Sequence, residues 1–206
     1  FSGLHRPQPA MFTVRVPLIL ASASPRRQEF LQQLGLEFDT LPASIDETPL
    51  PGEEPTAFAR RMASSKAEHV ARLHPGALVI AADTVVSLAG IIFGKPGDAS
   101  EALSMLEHLQ GHTHQVITGL ALVLRSQAIH ACTTETTQVS FDHFSRAILQ
   151  AYVDSGDPLD KAGAYGIQGQ GTFLVRAIEG SYSNVVGLPV NQMLRLLLLH
   201  RLIQPR

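Results

Sequence analysis

Tryptophan is absent from this chain, cysteine occurs once, and only 17% of its 206 residues are charged. The lone Cys132 excludes an intrachain disulfide and any multi-cysteine zinc cage, which fits a reducing compartment. With 16 basic and 18 acidic side chains the net charge is −2, so the basic excess of a duplex-binding domain is missing. Aromatics at 6% leave little material for a base-stacking platform. No apolar run reaches the ~18 residues of a membrane helix. Leu78 to Gly94 comes nearest and is interrupted by Asp83 and two glycines. Val16 to Ala21 is too short and too broken by Pro17 to serve as a signal-peptide core. What is abundant is apolar residue, 45% of the chain, enough for one sizeable core without staples. Residues 1–10 read as a flexible leader or cloning remnant, and 11–206 as one domain.

Strand and helix signals alternate along the chain. Leu18 to Ala21 reads as a short buried strand. Ser24-Pro25 then looks like a cap and first helical position, opening a helix that Gly35 stops. A Pro-rich acidic loop spans residues 42–55, and a long helix runs to about Leu73. Ala77 to Ala82 reads as a second strand and Val85 to Phe93 as a third, turning near Gly90. Asp98 and Glu101 have capping-box spacing for a helix ending at Gly111. Val116 to Leu124 and Ile129 to Phe141 alternate like a hairpin. A helix over Ser145 to Ser155, a glycine-rich loop over 163–171, a strand over Phe173 to Ile178 and a helix over Pro189 to Leu202 complete the pattern. Such interleaving predicts an α/β fold with a mixed sheet flanked by helices.

Three features break local rules. Arg26 and Arg27 sit in the first turn of a helix, where the macrodipole disfavours cations. An anion bound there reverses the balance, since free N–H groups, two guanidinium forks and the hydroxyls of Ser22 and Ser24 all suit phosphate. Two solvated arginines and a capping serine are the plain alternative. Lys66 falls within a helical stripe of Ala59, Ala63, Val70 and Leu73. It can snorkel out of that stripe, which spacing slightly favours, or enter a cleft. Asp83 ends the run Ala77 to Ala82, and a buried carboxylate there is costly unless paired, hydrogen-bonded or bound to metal. In open α/β sheets the strand end is where ligands bind, although a turn-capping aspartate accounts for it too. Lys95, before Pro96, could return a cation to the same place or lie on the surface.

Other motifs fail. The glycines of residues 163–171 spell neither a dinucleotide fingerprint nor a Walker loop, and no GxSxG elbow exists. His112 and His114 alternate as a metal pair could, but lack a third ligand and read as surface residues. Cys132 reads as core.

Six blocks, in order, resemble the Maf family of nucleoside triphosphate pyrophosphatases: Ala21-Ser22-Ala23-Ser24-Pro25-Arg26-Arg27, Ser65-Lys66-Ala67, Ala82-Asp83-Thr84-Val85-Val86, Gly94-Lys95-Pro96, residues 160–169 (DKAGAYGIQG) and Val186-Gly187-Leu188-Pro189. The likeness covers about Leu18 to Leu202. It implies an inosine-triphosphate-pyrophosphatase-like fold with two lobes around a deep cleft, a homodimer and a bacterial cytoplasmic setting. It implies house-cleaning hydrolysis between the α- and β-phosphates with Mg²⁺ or Mn²⁺. The DKAGAYGIQG block resembles the branch acting on dTTP and UTP, with modified pyrimidine nucleotides as an extension of that range.

By the resemblance, Asp83 matches the family's proton acceptor and Glu47 a metal-binding carboxylate partnering Asp83. Asp46, Glu53 and Glu54 stand beside Glu47 as competitors. Arg26, Arg27, Lys66 and Lys95 become phosphate ligands, with both lysines in the catalytic set, and Arg26, Thr84 and Gln168 match positions tied to substrate choice. The family's link to septum formation leaves a second reading, a nucleotide-binding regulator of cell division with little turnover. Such a regulator would keep the arginines and Gln168 but would not need Asp83.

Overall fold

The computed structural model describes residues 11–206, so the expected leader at 1–10 lies outside the described residues. Among the described residues nine strands and six α-helices form. In chain order they are β1 (Phe12–Val14), β2 (Leu18–Leu20), α1 (Pro25–Gln33), β3 (Asp39–Thr40), α2 (Pro55–Leu73), β4 (Leu78–Leu88), β5 (Ile91–Phe93) and α3 (Ala99–Leu109). There follow β6 (Thr113–Leu124), β7 (Ile129–Phe141), α4 (Arg146–Asp154), β8 (Val175–Glu179), α5 (Tyr182–Val186), α6 (Val190–Leu199) and β9 (Ile203–Pro205). Between α4 and β8 the chain makes three short 3-10 turns, Asp157–Asp160, Ala162–Ala164 and Gly169–Leu174.

The main sheet is mixed, with strand order β3-β2-β4-β6-β7-β8 and β5 on β4. β2 runs parallel to β3 and β4, whereas β4, β6, β7 and β8 are successively antiparallel. Alternation sorts the side chains of β4 between two layers. Leu78, Ile80 and Ala82 join Leu18, Leu20, Leu31, Met193 and Leu197 on the face covered by α1 and α6. Val79 and Ala81 join Ala63, Ala67 and Val70 of α2 on the other. The far halves of β6 and β7 pack with α3, α4 and the 3-10 turns around Leu106, Phe141 and Tyr165, giving a second lobe that shares its strands with the first.

α1 starts and stops where expected, but Ser24 makes no side-chain cap bond. Asp98 does cap α3, accepting the Glu101 N–H at 2.8 Å, while the Glu101 carboxylate reaches back to the N–H of Gly97. Three expectations need correcting. Asp83 does not end a strand, because β4 runs unbroken from Leu78 to Leu88. The final helix stops at Leu199, and Ile203 pairs instead with Val14 in a small β1–β9 sheet that three-residue strands left invisible to periodicity. Leu73 leaves the apolar stripe of α2 and is exposed, since it sits in the last turn.

One edge of β4 explains why a polar site occurs in mid-strand. β6 covers one edge from Val79 to Ser87. On the opposite edge β2 pairs only with residues 78–80, and β5 only with 86–88. The five residues between have no neighbouring strand on that side. After Leu20 the chain leaves the sheet to start α1, and the gap becomes the floor of a cleft. Asp83 therefore lies beyond the carboxyl end of β2, the position at which open α/β sheets take ligands, although its own strand continues.

Candidate active site

The cleft has a volume of about 780 Å³ and runs from the start of α1, across the β4 gap, to the glycine-rich segment. All ten of the expected site residues line it: Ser22, Ser24, Arg26, Arg27, Glu47, Lys66, Asp83, Thr84, Lys95 and Gln168. Their conditions differ sharply.

Lys66 does not snorkel. Its Nζ donates to Asp83 Oδ1 at 2.6 Å and lies 2.9 Å from Glu47 Oε1, with both the lysine and aspartate side chains 12% exposed. A lysine in an apolar helix face is stabilised when the facing strand supplies a carboxylate, and odd-numbered β4 positions face α2. Among the acidic-loop carboxylates, Glu47 alone pairs with Lys66. Asp46 is occupied by the backbone N–H and hydroxyl of Thr48, which hold its carboxyl below the usual range. Glu53 takes a two-pronged bond from Arg61, 2.6 Å on each oxygen, which holds its carboxyl at about 2. Arg61 also donates to the Thr48 carbonyl, fixing the loop to α2 close to where Glu47 projects. Glu54 is exposed at the start of α2.

The adjacent arginines divide. Arg27 Nε donates to the Gly187 carbonyl at 2.7 Å, Nη1 to Ser22 Oγ at 3.1 Å and Nη2 to Thr84 Oγ1 at 3.1 Å. Burial lowers its pKa, with the Asp83 carboxylate opposing that shift. Three of its five N–H groups are committed, so it ties α1 to β4 and to the Gly187 turn and keeps two donors for a ligand. Among the described residues Arg26 makes one long ion-pair contact, 3.8 Å to Asp160 across the cleft, and can turn from it to an anion. Ser22 Oγ also accepts the Ser24 N–H, leaving the Ser24 hydroxyl without a partner among the described residues. Thr84 faces away from Asp83. Its hydroxyl accepts from Arg27 and shares a hydrogen bond with Thr118 at 2.9 Å, so it is spent inside the protein. Lys95 follows β5, is exposed, and has no ion pair among the described residues. Gln168 is half-buried and makes no cap bond to the turn it precedes.

Sequence reasoning passed over several residues here. Lys161, 11% exposed, donates to the Asp157 carbonyl, to Asp157 Oδ1 at 3.2 Å and to Asp160 Oδ1 at 2.7 Å. Burial alone would raise the Asp160 carboxyl, but the hydrogen bond and charge of Lys161, with Arg26 behind them, hold it low. A lysine next to an aspartate in a glycine-rich block was the available signal. His114 was expected at the surface and is instead 1% exposed, its Nε2 2.8 Å from the Tyr165 hydroxyl. Burial pushes it down to about 4. His112 lies outside β6 and is exposed, so the two histidines do not share a strand face. Cys132 is half-buried at the edge of the α2 layer rather than in the core.

Two carboxylates converging on one ammonium form a donor set of hard oxygens. Among the described residues no cluster of three or more His, Cys, Asp or Glu could hold a metal ion. A divalent cation of the Mg²⁺ kind typically takes one or two carboxylates and completes its shell with water and substrate phosphates, so Glu47 and Asp83 fit that cation. Among the described residues no helix is long and apolar enough to cross a membrane.

Residues 17–199 match the family model described as Maf-like protein. A dTTP/UTP pyrophosphatase of Nitratidesulfovibrio vulgaris is 50% identical over 191 residues, covering 91% of this chain and 89% of that protein. One from Desulfotalea psychrophila is 48% identical over 193 residues, covering 94% and 99%. One from Myxococcus xanthus is 52% identical over 180 residues, covering 87% and 90%.

Proposed function

The chain belongs to the Maf family, and from that premise we propose that it hydrolyses dTTP and UTP, and modified pyrimidine nucleotides of like shape, to the monophosphate and pyrophosphate. It is a nucleoside triphosphate pyrophosphatase, a hydrolase of the phosphoanhydride bond. The observation that carries the mechanistic reading is the Glu47–Lys66–Asp83 cluster on the floor of a cleft that also holds Arg26, Arg27 and Gln168.

The triphosphate lies with its phosphates over the start of α1. There Arg26 leaves Asp160 for a phosphate oxygen, Arg27 offers its two remaining N–H donors, and Lys95 adds a point charge. Ser24 and the free backbone N–H groups of the first turn complete an anion-binding start. Lys66 holds Asp83 by Oδ1, which leaves Oδ2 without a hydrogen-bond partner among the described residues. That oxygen takes the proton of the attacking water. The new bond forms between water oxygen and the α-phosphorus, the bridging bond to the β-phosphate breaks, and pyrophosphate leaves with its charge neutralised by the basic side chains. Glu47 and Asp83 would hold the divalent cation, whose contribution is to offset phosphate charge and acidify bound water. Thr84 affects substrate choice by orienting Arg27, since its own hydroxyl is spent. Gln168 meets the base: its amide carries a donor and an acceptor, matching two adjacent positions on a thymine or uracil edge. A homodimer in a bacterial cytoplasm belongs to this proposal and rests on the family likeness.

The test is incubation with a panel of nucleoside triphosphates and Mg²⁺ or Mn²⁺, with the products resolved. Monophosphate and pyrophosphate from dTTP and UTP are expected. Diphosphate and orthophosphate would overturn the cleavage position, and binding without turnover would favour a regulator.

A further inference from the structure

Gln168 sits on a segment without regular secondary structure, yet a base-reading amide must be held within a fraction of an ångström. The neighbouring side chains supply that constraint. The Tyr152 hydroxyl, on α4, donates to Asp157 Oδ2 at 2.8 Å and accepts the Gly166 N–H at 3.3 Å. Burial and the Asp157 carboxylate both raise the tyrosine pKa, so it remains a neutral donor. Asp157 in turn holds Lys161 through its other oxygen and its carbonyl. Both side chains reach the loop because glycines admit them. A Cβ on Gly171 would stand 2.4 Å from the Tyr152 hydroxyl, and one on Gly166 would stand 2.8 Å from Lys161 Cε. The Thr172 hydroxyl lies within hydrogen-bond distance of both carbonyls flanking Gln168, 2.9 Å from that of Ile167 and 2.7 Å from that of Gly169, and shares its one proton between them. All three Lys161 donors are used within this cluster, so its ammonium has no spare proton to offer a phosphate.

We propose that Tyr152 is a positioning residue for base choice: its hydroxyl, locked between Asp157 and the Gly166 N–H, fixes the segment that presents Gln168 to the pyrimidine. The inference rests on the reading of Gln168 as the base-recognising side chain. Tyr152 lies behind the loop and touches it through backbone, so it acts by geometry. Removing the hydroxyl frees the Gly166 N–H and the Asp157 carboxylate and lets the amide wander, which weakens discrimination more than turnover.

The experiment compares kcat/KM for dTTP and dGTP, and the melting temperature, in the wild type, Tyr152→Phe, Gln168→Ala and the double variant. Phenylalanine keeps the ring against Phe173 and deletes only the hydroxyl. The dTTP-to-dGTP ratio is expected to fall about tenfold in Tyr152→Phe, as befits a lost hydrogen bond to a charged group. The loss should appear mainly in KM for dTTP, with kcat for dGTP nearly unchanged. The double variant is expected to show no lower ratio than Gln168→Ala alone, because both act through one amide. Asp157→Ala removes the acceptor from the other end and is expected to lower the same ratio. An unchanged ratio in Tyr152→Phe, an equal loss on both substrates, or additive losses in the double variant overturns the inference while the Gln168 reading stands. A ratio untouched by Gln168→Ala overturns that reading, and the inference with it.

Discussion

On one wall of the cleft Lys66, Asp83 and Arg27 project from a helix, the middle of a strand and the first turn of another helix. On the opposite wall Gln168 projects from a chain of 3-10 turns held by Tyr152, Asp157 and Lys161. The first wall uses backbone hydrogen bonding to set side-chain positions and spends charge on charge. The second uses side chains to set backbone. The difference matches the two ends of the ligand. Phosphates are flexible, highly charged and satisfied by point charges at several placements. A base edge is planar and rewards one placement. A wall made of turns can be shaped to a base by few substitutions, but only if something else stiffens it.

The strongest way to break this comparison is at Asp83. Asp83→Asn preserves size and leaves Lys66 its contact with Glu47, so the fold should survive while turnover falls by about 10³-fold or more. Near-normal activity at saturating metal would remove Asp83 from catalysis. On the other wall, Gln168→Glu should lower kcat/KM for dTTP and UTP by about 10²-fold relative to GTP-type substrates, because a hydrogen-bond mismatch in a dry pocket discriminates strongly. A uniform loss across bases would make Gln168 a loop-folding residue.

The arginine pair sharpens the contrast within the first wall. Arg27→Ala removes three internal hydrogen bonds and should cost about 2–4 kcal/mol in chemical denaturation. Arg26→Ala should change stability by no more than about 0.5 kcal/mol. It should instead raise KM more for triphosphates than for monophosphates, as should the loss of any phosphate-gripping donor. Equal stability losses in both would show that the division between them is wrong.

The smallest effect lies beneath the second wall. His114 titrates near 4 when folded against an ordinary value of 6.5, so the unfolded chain takes up the proton first as pH falls. Its contribution is complete above about pH 6.5 and is lost between there and pH 4. At pH 5.5 the protein should be about 1 kcal/mol less stable than at pH 7 on this account. His114→Phe should flatten that slope in urea unfolding, and an unchanged slope would assign it to other groups.

Much of this was written locally. A proline after Ser24 and a glycine past Leu34 bracket α1, the alternation over β6 and β7 declares a hairpin, and the ordered blocks from Ala21 to Pro189 declare the family. Each signal spans a few residues, and capping, periodicity and turn chemistry operate at that range. Partners do not. Arg27 finds Gly187 and Lys66 finds Asp83 and Glu47 across a cleft that exists because β2 ends early, and Thr84 finds Thr118 through the pairing of β4 with β6. So ten of the residues that line the cleft could be named from the chain. Which arginine is bound and which is free, which acidic residue meets the lysine, and what holds Gln168 still were decided by the tertiary structure. Hydrogen bonds and ion pairs act over a few ångströms of space, and only the folded sheet determines which side chains come that close.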